Sequence, residues 1–384
     1  MTEKLYYKSS MIFDFTASVL SCEKTENIYN VVLDKTAFFP ESGGQCCDTG
    51  KIGDATVLYV FESNGNIIHA VDSKLAVGTT IECKLDKAKR FRNMQNHTGE
   101  HIVSGLINKY FSFQNVGFHL GSEITTCDFD GKLSREDLLK VEYEANEAVV
   151  NCSKVTAWFP GDDELDLLGY RCKSEIQGQV RLVKIDGYDL CACCAPHVEN
   201  CGQIGLIKIL DFEAYKGGTR VCIKCGFDAL NDYNDKYSNV LSISALLSAK
   251  QHEVALATTH LKAENDSLKQ QVKRLKEQIL RKSVSDFAYD DNAVIYRHSE
   301  NDMNELRIIA DALADKTDKF ALAFYSEGDS CSFSAISRKN SLVSLADELR
   351  EKFGARCGGK DNILQGTVMI NAETFTETII KFGI

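Results

Sequence analysis

No stretch of this chain is both long and apolar enough to cross a bilayer, which takes about 20 consecutive, mostly apolar residues, so insertion into a membrane is not expected. The first residues, MTEKLYYKSSMIFDF, lack the apolar block and small-residue cleavage site of a secretory signal. A cytoplasmic location is therefore expected. Positive charge is not in excess either: 44 Lys and Arg face 55 Asp and Glu, a formal net charge of -11. That balance excludes wholesale coating of nucleic acid and leaves room for a local basic surface. The fifteen cysteines are an odd number, so they cannot all pair internally. In a reducing compartment they read as thiols, ligands or core residues rather than as a disulfide framework.

The 384 residues exceed one ordinary core and suggest two or three domains. Residues 1–90 read as a small β-barrel-like domain, with strand-like runs at 28–33, 55–60 and 66–71 separated by turns such as Ser63-Asn64-Gly65. Within it, Phe38-Phe39-Pro40-Glu41-Ser42-Gly43-Gly44-Gln45 contains paired glycines, which serve a tight turn or a close backbone approach. Taken alone, the pair favours a hairpin turn. Residues 91–230 mix helices with strand-like runs at 180–185 and 204–209 and suggest a two-layer α+β domain. Ser134-Arg135-Glu136-Asp137 opens one of the helices. Across 231–282, Leu247, Val254, Leu261, Leu268 and Leu275 recur every seven residues, the mark of a long helical linker or coiled coil. Residues 283–384 read as a C-terminal α/β domain. The fold class expected is thus α+β, with these four parts in series.

The chemistry centres on His97-Thr98-Gly99-Glu100-His101. Two imidazoles four apart share a helix face, but the spacing differs from the His-Glu-x-x-His of zinc proteases. Almost a hundred residues later, Cys193-Cys194-Ala195-Pro196-His197 adds a thiol and an imidazole. His97, His101, Cys193 and His197 form a donor set that zinc accepts in a tetrahedral shell. Spacing alone leaves Cys191 and Cys194 open as substitutes for Cys193. Cys222-Ile223-Lys224-Cys225 is a competing set that reads better as strand thiols. His119 reads equally well as a pocket group or as a core histidine. Four protein ligands also suit a structural zinc, which is the main physical objection to an active site. Lys269, Lys273, Arg274, Lys276, Arg281 and Lys282 make a basic stretch opposed only by Glu277, either a solvated helix face or a phosphate-contacting surface. The glycine-rich Arg356-Cys357-Gly358-Gly359-Lys360 could cradle phosphate, but it is not a Walker motif.

Together these segments resemble the editing machinery of alanyl-tRNA synthetases, above all the long, free-standing alanyl-tRNA editing proteins. Asp34-Lys35-Thr36-Ala37-Phe38-Phe39-Pro40 with Gly43-Gly44-Gln45 is similar to that family's N-terminal signature. Asn96 to His101 and Cys193 to Val198 resemble its two metal segments, and Val116 to Gly121 its pocket-lining segment. The last domain resembles the C-terminal domain shared with DHH-type phosphoesterases. The chain departs from the family at Cys46, where proline is common, and at Cys194-Ala195-Pro196, where Gly-Gly-Thr is common. The resemblance implies hydrolysis of the ester of mischarged Ser-tRNA(Ala), with Gly-tRNA(Ala) as a second substrate, by an enzyme holding one zinc ion per chain. It favours Cys193 among the thiols. It makes Thr36 a candidate for amino-acid discrimination, Gln45 for a substrate contact and His119 for a polar pocket group. Lys269, Lys273, Arg274, Lys276, Arg281, Lys282, Arg356 and Lys360 are the candidate tRNA contacts. A homodimer through the helical linker and C-terminal domain is a further expectation. The competing functions are a tRNA-binding protein with structural zinc and another metal-dependent esterase.

Overall fold

The computed structural model describes residues 1–172 and 178–383. The chain divides into two compact units, Met1–Ser242 and Ile243–Ile384. The first begins with six strands: β1 (Asp14–Thr25), β2 (Ile28–Leu33), β3 (Gly50–Ile52), β4 (Ala55–Ser63), β5 (Asn66–Val71) and β6 (Thr80–Leu85). The first half of β1 pairs with β6 and its second half with β2. The pairs β2–β5, β5–β4, β4–β3 and β3–β6 give every strand two antiparallel neighbours. Alternation along the strands turns Ala17, Val19, Val31, Leu33, Ala55 and Val57 into one core.

A single helix, α1 (Lys87–Phe111), organises the remainder of this unit. Asp86 caps it by accepting a hydrogen bond from the Lys89 amide at 3.0 Å. Its burial is continuous from Asn93 to Ile107, so it is a central helix and not an amphipathic surface one. Around it lie β7 (Asn115–Leu120), β8 (Thr125–Phe129), α2 (Arg135–Val150), β9 (Val155–Trp158), β10 (Leu182–Ile185), β11 (Asp189–Ala192), β12 (Ile207–Tyr215) and β13 (Gly218–Cys225). The helix start expected at Ser134 is a capping box with Asp137. The strands form two antiparallel sheets, β12-β13-β8-β7 and β9-β10-β11.

The expected series of a barrel-like N-terminal domain followed by a two-layer domain is corrected here. The N-terminal strands are not a self-contained barrel domain but belong to the same compact unit as α1 and both later sheets. Buried contacts stitch them together. Arg90 of α1 is completely enclosed and donates from Nε to Asp48 at 3.0 Å and from Nη1 to the Ser10 carbonyl at 3.1 Å. Asp48 also accepts the Phe39 amide at 2.7 Å. Removing one member of such a buried pair costs roughly 3–5 kcal/mol, because the other charge is stranded. Tyr6 and Phe39 pack on Ala195, tying the N-terminal region to the segment that carries Cys193 and His197.

Helix α3 (Phe227–Leu247) comes next, then α4 (Val254–Ser283). The seven-residue repeat does not run through one continuous helix: Ser248 has φ +48° and Gln251–Glu253 is a 3₁₀ turn. The second unit contains α4, β14 (Val294–Arg297), α5 (Met303–Leu313), β15 (Ala321–Glu327), β16 (Ser330–Ile336), α6 (Val343–Phe353), β17 (Arg356–Lys360), β18 (Ile363–Val368) and α7 (Ala372–Gly383). Its sheet order is β14-β15-β16-β18-β17, with only β14 and β15 parallel. No helix among the described residues is long and apolar enough to cross a membrane.

Candidate metal centre

The four residues proposed as ligands come together. One donor atom from each of His97, His101, Cys193 and His197 lies within 4.8 Å of the others, and all but the half-buried Cys193 are buried. Helical spacing stacks His97 and His101, whose ring centroids are 5.2 Å apart. The other two arrive on the segment after β11, and Cys193 Sγ lies 3.6 Å from His97 Nε2 and 3.3 Å from His197 Nε2.

Each imidazole is anchored through its other nitrogen. His97 Nδ1 donates to Gln45 Oε1 at 2.7 Å, and His101 Nδ1 donates to Asp189 Oδ2 at 2.8 Å. His197 Nδ1 shares a 3.0 Å hydrogen bond with the Thr98 hydroxyl, which also accepts the Val198 amide at 3.3 Å. Gln45 and Asp189 fix the tautomers of His97 and His101, and the three contacts leave Nε2 of all three rings directed at the cluster. Three Nε2 atoms and one sulfur, held in this way, fit a zinc ion.

Electrostatics favour a thiolate at Cys193. Burial opposes charge on Cys193, but the surrounding His97 and His197, with hydrogen bonds from His101 and His197, hold its thiol well below the ordinary range. Burial alone would lower His101; the Asp189 and Cys193 contacts override it and push the imidazole up to about 9. His197 is driven by burial down to about 3. Asp189 is itself gripped by Arg171 at 2.7 and 2.9 Å. Against the penalty of burial, His101 and Arg171 hold its carboxyl below the usual range.

The local sequence explains this placement. Gly44 has φ +80°, and a Cβ there would meet the Phe118 carbonyl oxygen at 2.4 Å. Glycine therefore allows the 42–45 turn to lie against β7, where Leu120 N donates to Gly44 O at 2.9 Å, and it sets Gln45 beside His97. The turn reading of the paired glycines and the close-approach reading are both satisfied. Gly105 plays the matching part on α1, since a Cβ would meet the Tyr188 carbonyl oxygen at 2.3 Å. That approach brings Asp189 alongside His101. Arg181 donates to the Cys193 and Ala195 carbonyls, both at 2.9 Å, and holds the ligand segment in shape.

A cavity of about 320 Å³ adjoins the cluster, walled by Ser42, Gly43, Tyr7, Arg181, Cys193 and Cys194 among others. Cys194 Sγ is 3.4 Å from Ser42 Oγ, and burial pushes the thiol up, so it is neutral. Cys191 is buried beside Asp189 and is not one of the four converging donors.

Thr36 and His119 do not line this cavity. The Thr36 hydroxyl is enclosed, 2.9 Å from His69 Nε2, and accepts the Phe38 amide. Phe118 packs on His97 with centroids 4.6 Å apart, whereas His119 is exposed and lines a different cavity. Gln45 does reach the cluster, through His97. Glu100 points away from the cluster and accepts from Ser104 and Asn115. Cys222 and Cys225 sit in β13 as free thiols, Cys225 fully buried.

Of the basic residues, Arg281 pairs with Glu277 and Asp311, and Lys276 with Glu305. Lys269, Lys273, Arg274, Lys282, Arg356 and Lys360 are exposed. Sequence reasoning missed Asp189, Arg171 and Thr98. The signal for Asp189 was present: it precedes Cys191 and Cys193 at two-residue spacing in a strand, on the inward face.

Three segments of the chain match known families. Residues 2–89 match tRNA synthetases class II (A), residues 180–221 match the threonyl and alanyl tRNA synthetase second additional domain, and residues 290–382 match the DHHA1 domain. Alanyl-tRNA editing protein AlaX-M of Methanosarcina barkeri is 33% identical over 94% of its own length and 56% of this chain. The chain belongs to the free-standing alanyl-tRNA editing proteins. Alanyl-tRNA editing protein AlaX-L of Pyrococcus horikoshii is 25% identical over 99% of this chain and 98% of its own length. The chain also aligns, at 28% identity and over 92% of its residues, with 39% of the alanine–tRNA ligase of Thermofilum pendens. Membership of this family supports a tRNA-editing, deacylase function.

Proposed function

We propose that the chain acts in trans to hydrolyse the ester of Ser-tRNA(Ala), with Gly-tRNA(Ala) as a second substrate, using one zinc ion per chain bound by His97, His101, Cys193 and His197. The observation that carries this reading is the convergence of three anchored imidazoles and one thiolate beside a cavity of about 320 Å³, a size that suits a small aminoacyl group. Bound zinc supplies Lewis acidity, which polarises an ester carbonyl and acidifies water. The protein supplies the remaining work. Gln45, Asp189 and Thr98 hold the ligand rings, and Arg181 holds the backbone of the ligand segment. Gln45 is enclosed and its Nε2 group has no hydrogen-bond partner among the described residues; in this reading that group is the substrate contact once the 42–45 turn opens to the cavity.

Discrimination follows from the cavity wall. Ser42 Oγ and Cys194 Sγ offer polar contacts that a serine hydroxyl can use and an alanine methyl cannot. The exposed lysines and arginines of α4, with Arg356 and Lys360 of β17, are the tRNA contacts in this reading. The half-exposed Leu261, Leu268, Val272, Leu275 and Ile279 of α4 are available for a homodimer seam. Thiols such as Cys191, Cys193, Cys194 and Cys225 are unbridged, which suits a cytoplasmic enzyme.

The test is a comparison of Ser-, Gly- and Ala-tRNA(Ala) deacylation by the zinc-loaded chain. Faster loss of serine and glycine with alanine spared is the expected result. Failure to accelerate any mischarged substrate would overturn the reading. Four protein ligands also fit a structural zinc in a tRNA-binding protein, and tRNA binding without hydrolysis would favour that function.

A further inference from the structure

A second cavity, of about 760 Å³, is lined in part by residues adjacent in sequence to those of the first. The segment from Ser42 to Cys46 divides them, because Ser42 and Gly43 wall the cavity beside the cluster and Cys46 walls the other. Strand β7 divides them as well, with Phe118 packed on His97 and the next residue, His119, in the second cavity. Phe91 and Arg92 of α1 and Phe227 at the start of α3 complete the main walls.

The chemistry of these walls is specific. Phe227 is 64% exposed and lines the cavity. His119 is exposed across the same space, so flat rings line a largely apolar cavity. Arg92 is already committed: it pairs with Asp228 at 2.7 Å and donates to the carbonyls of Gly121 and Ser122. Asp228 is thereby neutralised, and Lys89 at the cavity edge remains as a cation for a phosphate. Aromatic faces with an adjacent cation are how proteins hold unpaired bases.

We propose that this cavity takes an unpaired nucleobase of the tRNA 3′ strand, one of those preceding the terminal nucleotide. The proposal rests on the editing reading, which puts the terminal ribose and its amino acid beside the metal cluster. The strand then passes the Ser42–Cys46 segment, and the preceding base stacks on Phe227 and His119.

Binding of the full-length protein to two uncharged RNA minihelices tests this, one ending in a four-nucleotide single-stranded 3′ end and the other blunt. Phe227→Ala should weaken binding of the tailed RNA by about 5- to 150-fold, the range of one lost base–aromatic stack, and leave the blunt RNA unchanged. Phe227→Trp should retain tail binding. A 2-aminopurine placed before the terminal nucleotide should change fluorescence on binding to the wild type and not to Phe227→Ala. Unchanged tail binding in Phe227→Ala, or an equal loss on both RNAs, overturns the proposal; so does occupation of the cavity by a peptide in place of RNA. Because the RNA carries no amino acid, these outcomes are independent of deacylation. A wild-type protein that binds neither RNA counts against the editing reading itself.

Discussion

His69 and His101 are both fully buried histidines of the first unit, yet their surroundings give them opposite chemistry. His69 spends both ring nitrogens on the protein, Nε2 on Thr36 Oγ1 at 2.9 Å and Nδ1 on the Val31 carbonyl at 3.1 Å. Burial holds it neutral, with its pKa lowered to about 4. His101 spends one nitrogen on Asp189 and turns the other toward a thiol and two more imidazoles. Burial acts on it equally, but Asp189 and Cys193 outweigh that effect. A buried histidine becomes a ligand when its partners orient the ring without consuming its second nitrogen.

The largest expected effect is at the cluster: Cys193→Ala should abolish tight zinc binding and lower deacylation by more than ~100-fold, since a ligand matters more than its hydrogen-bonding partners. Chelator competition and metal content check the binding. Normal zinc retention in this variant would remove the distinction between the two histidines.

The next effect belongs to His69. Its folded pKa of about 4 lies below its ordinary value of 6.5, so the unfolded chain binds more protons between those values. Stability should therefore fall as pH drops through that window, by about 3 kcal/mol at pH 4 relative to pH 7. Urea unfolding of wild type and His69→Gln would measure it, because the variant lacks this contribution to the slope. Parallel pH profiles would show that His69 is not held neutral.

Asp189→Asn keeps the shape of the contact and removes its charge. Zinc affinity should fall by roughly 10- to 100-fold, the usual cost of losing an orienting carboxylate, with the fold intact by circular dichroism. Unaltered affinity would assign the His101–Asp189–Arg171 chain to packing alone. The smallest effect is at Thr36→Val, which removes one buried hydrogen bond to His69 and should cost about 1 kcal/mol with no change in zinc affinity. A lower zinc affinity in this variant would couple the two sites that the structure keeps apart.

Much of this was legible along the chain. The capped start of α2 at Ser134, the strand at Ile28–Leu33 and the three histidines that converge with Cys193 depend on local spacing or on residue types that few other roles require. The early start of α1 was not legible, because residues 87–96 are rich in polar groups whose partners lie far along the chain, as Asp48 does for Arg90 and the Gln203 and Ile204 carbonyls do for Gln95. Arg90 is the clearest case: in sequence it reads as a surface cation, and in the structure it is enclosed with Asp48. The heptad across 247–254 misled because a seven-residue repeat in sequence cannot report a backbone break such as that at Ser248.

By itself the sequence supplied three histidines and three neighbouring thiols as candidate donors, and its likeness to alanyl-tRNA editing proteins singled out Cys193. Only the tertiary structure decided which nitrogen of each ring faces the cluster, that Asp189 and Gln45 orient two of them, and that His119 and Thr36 lie elsewhere. Those are facts of direction between segments up to a hundred residues apart. They are set where helix α1, strand β7 and the ligand segment pack, which no local pattern encodes.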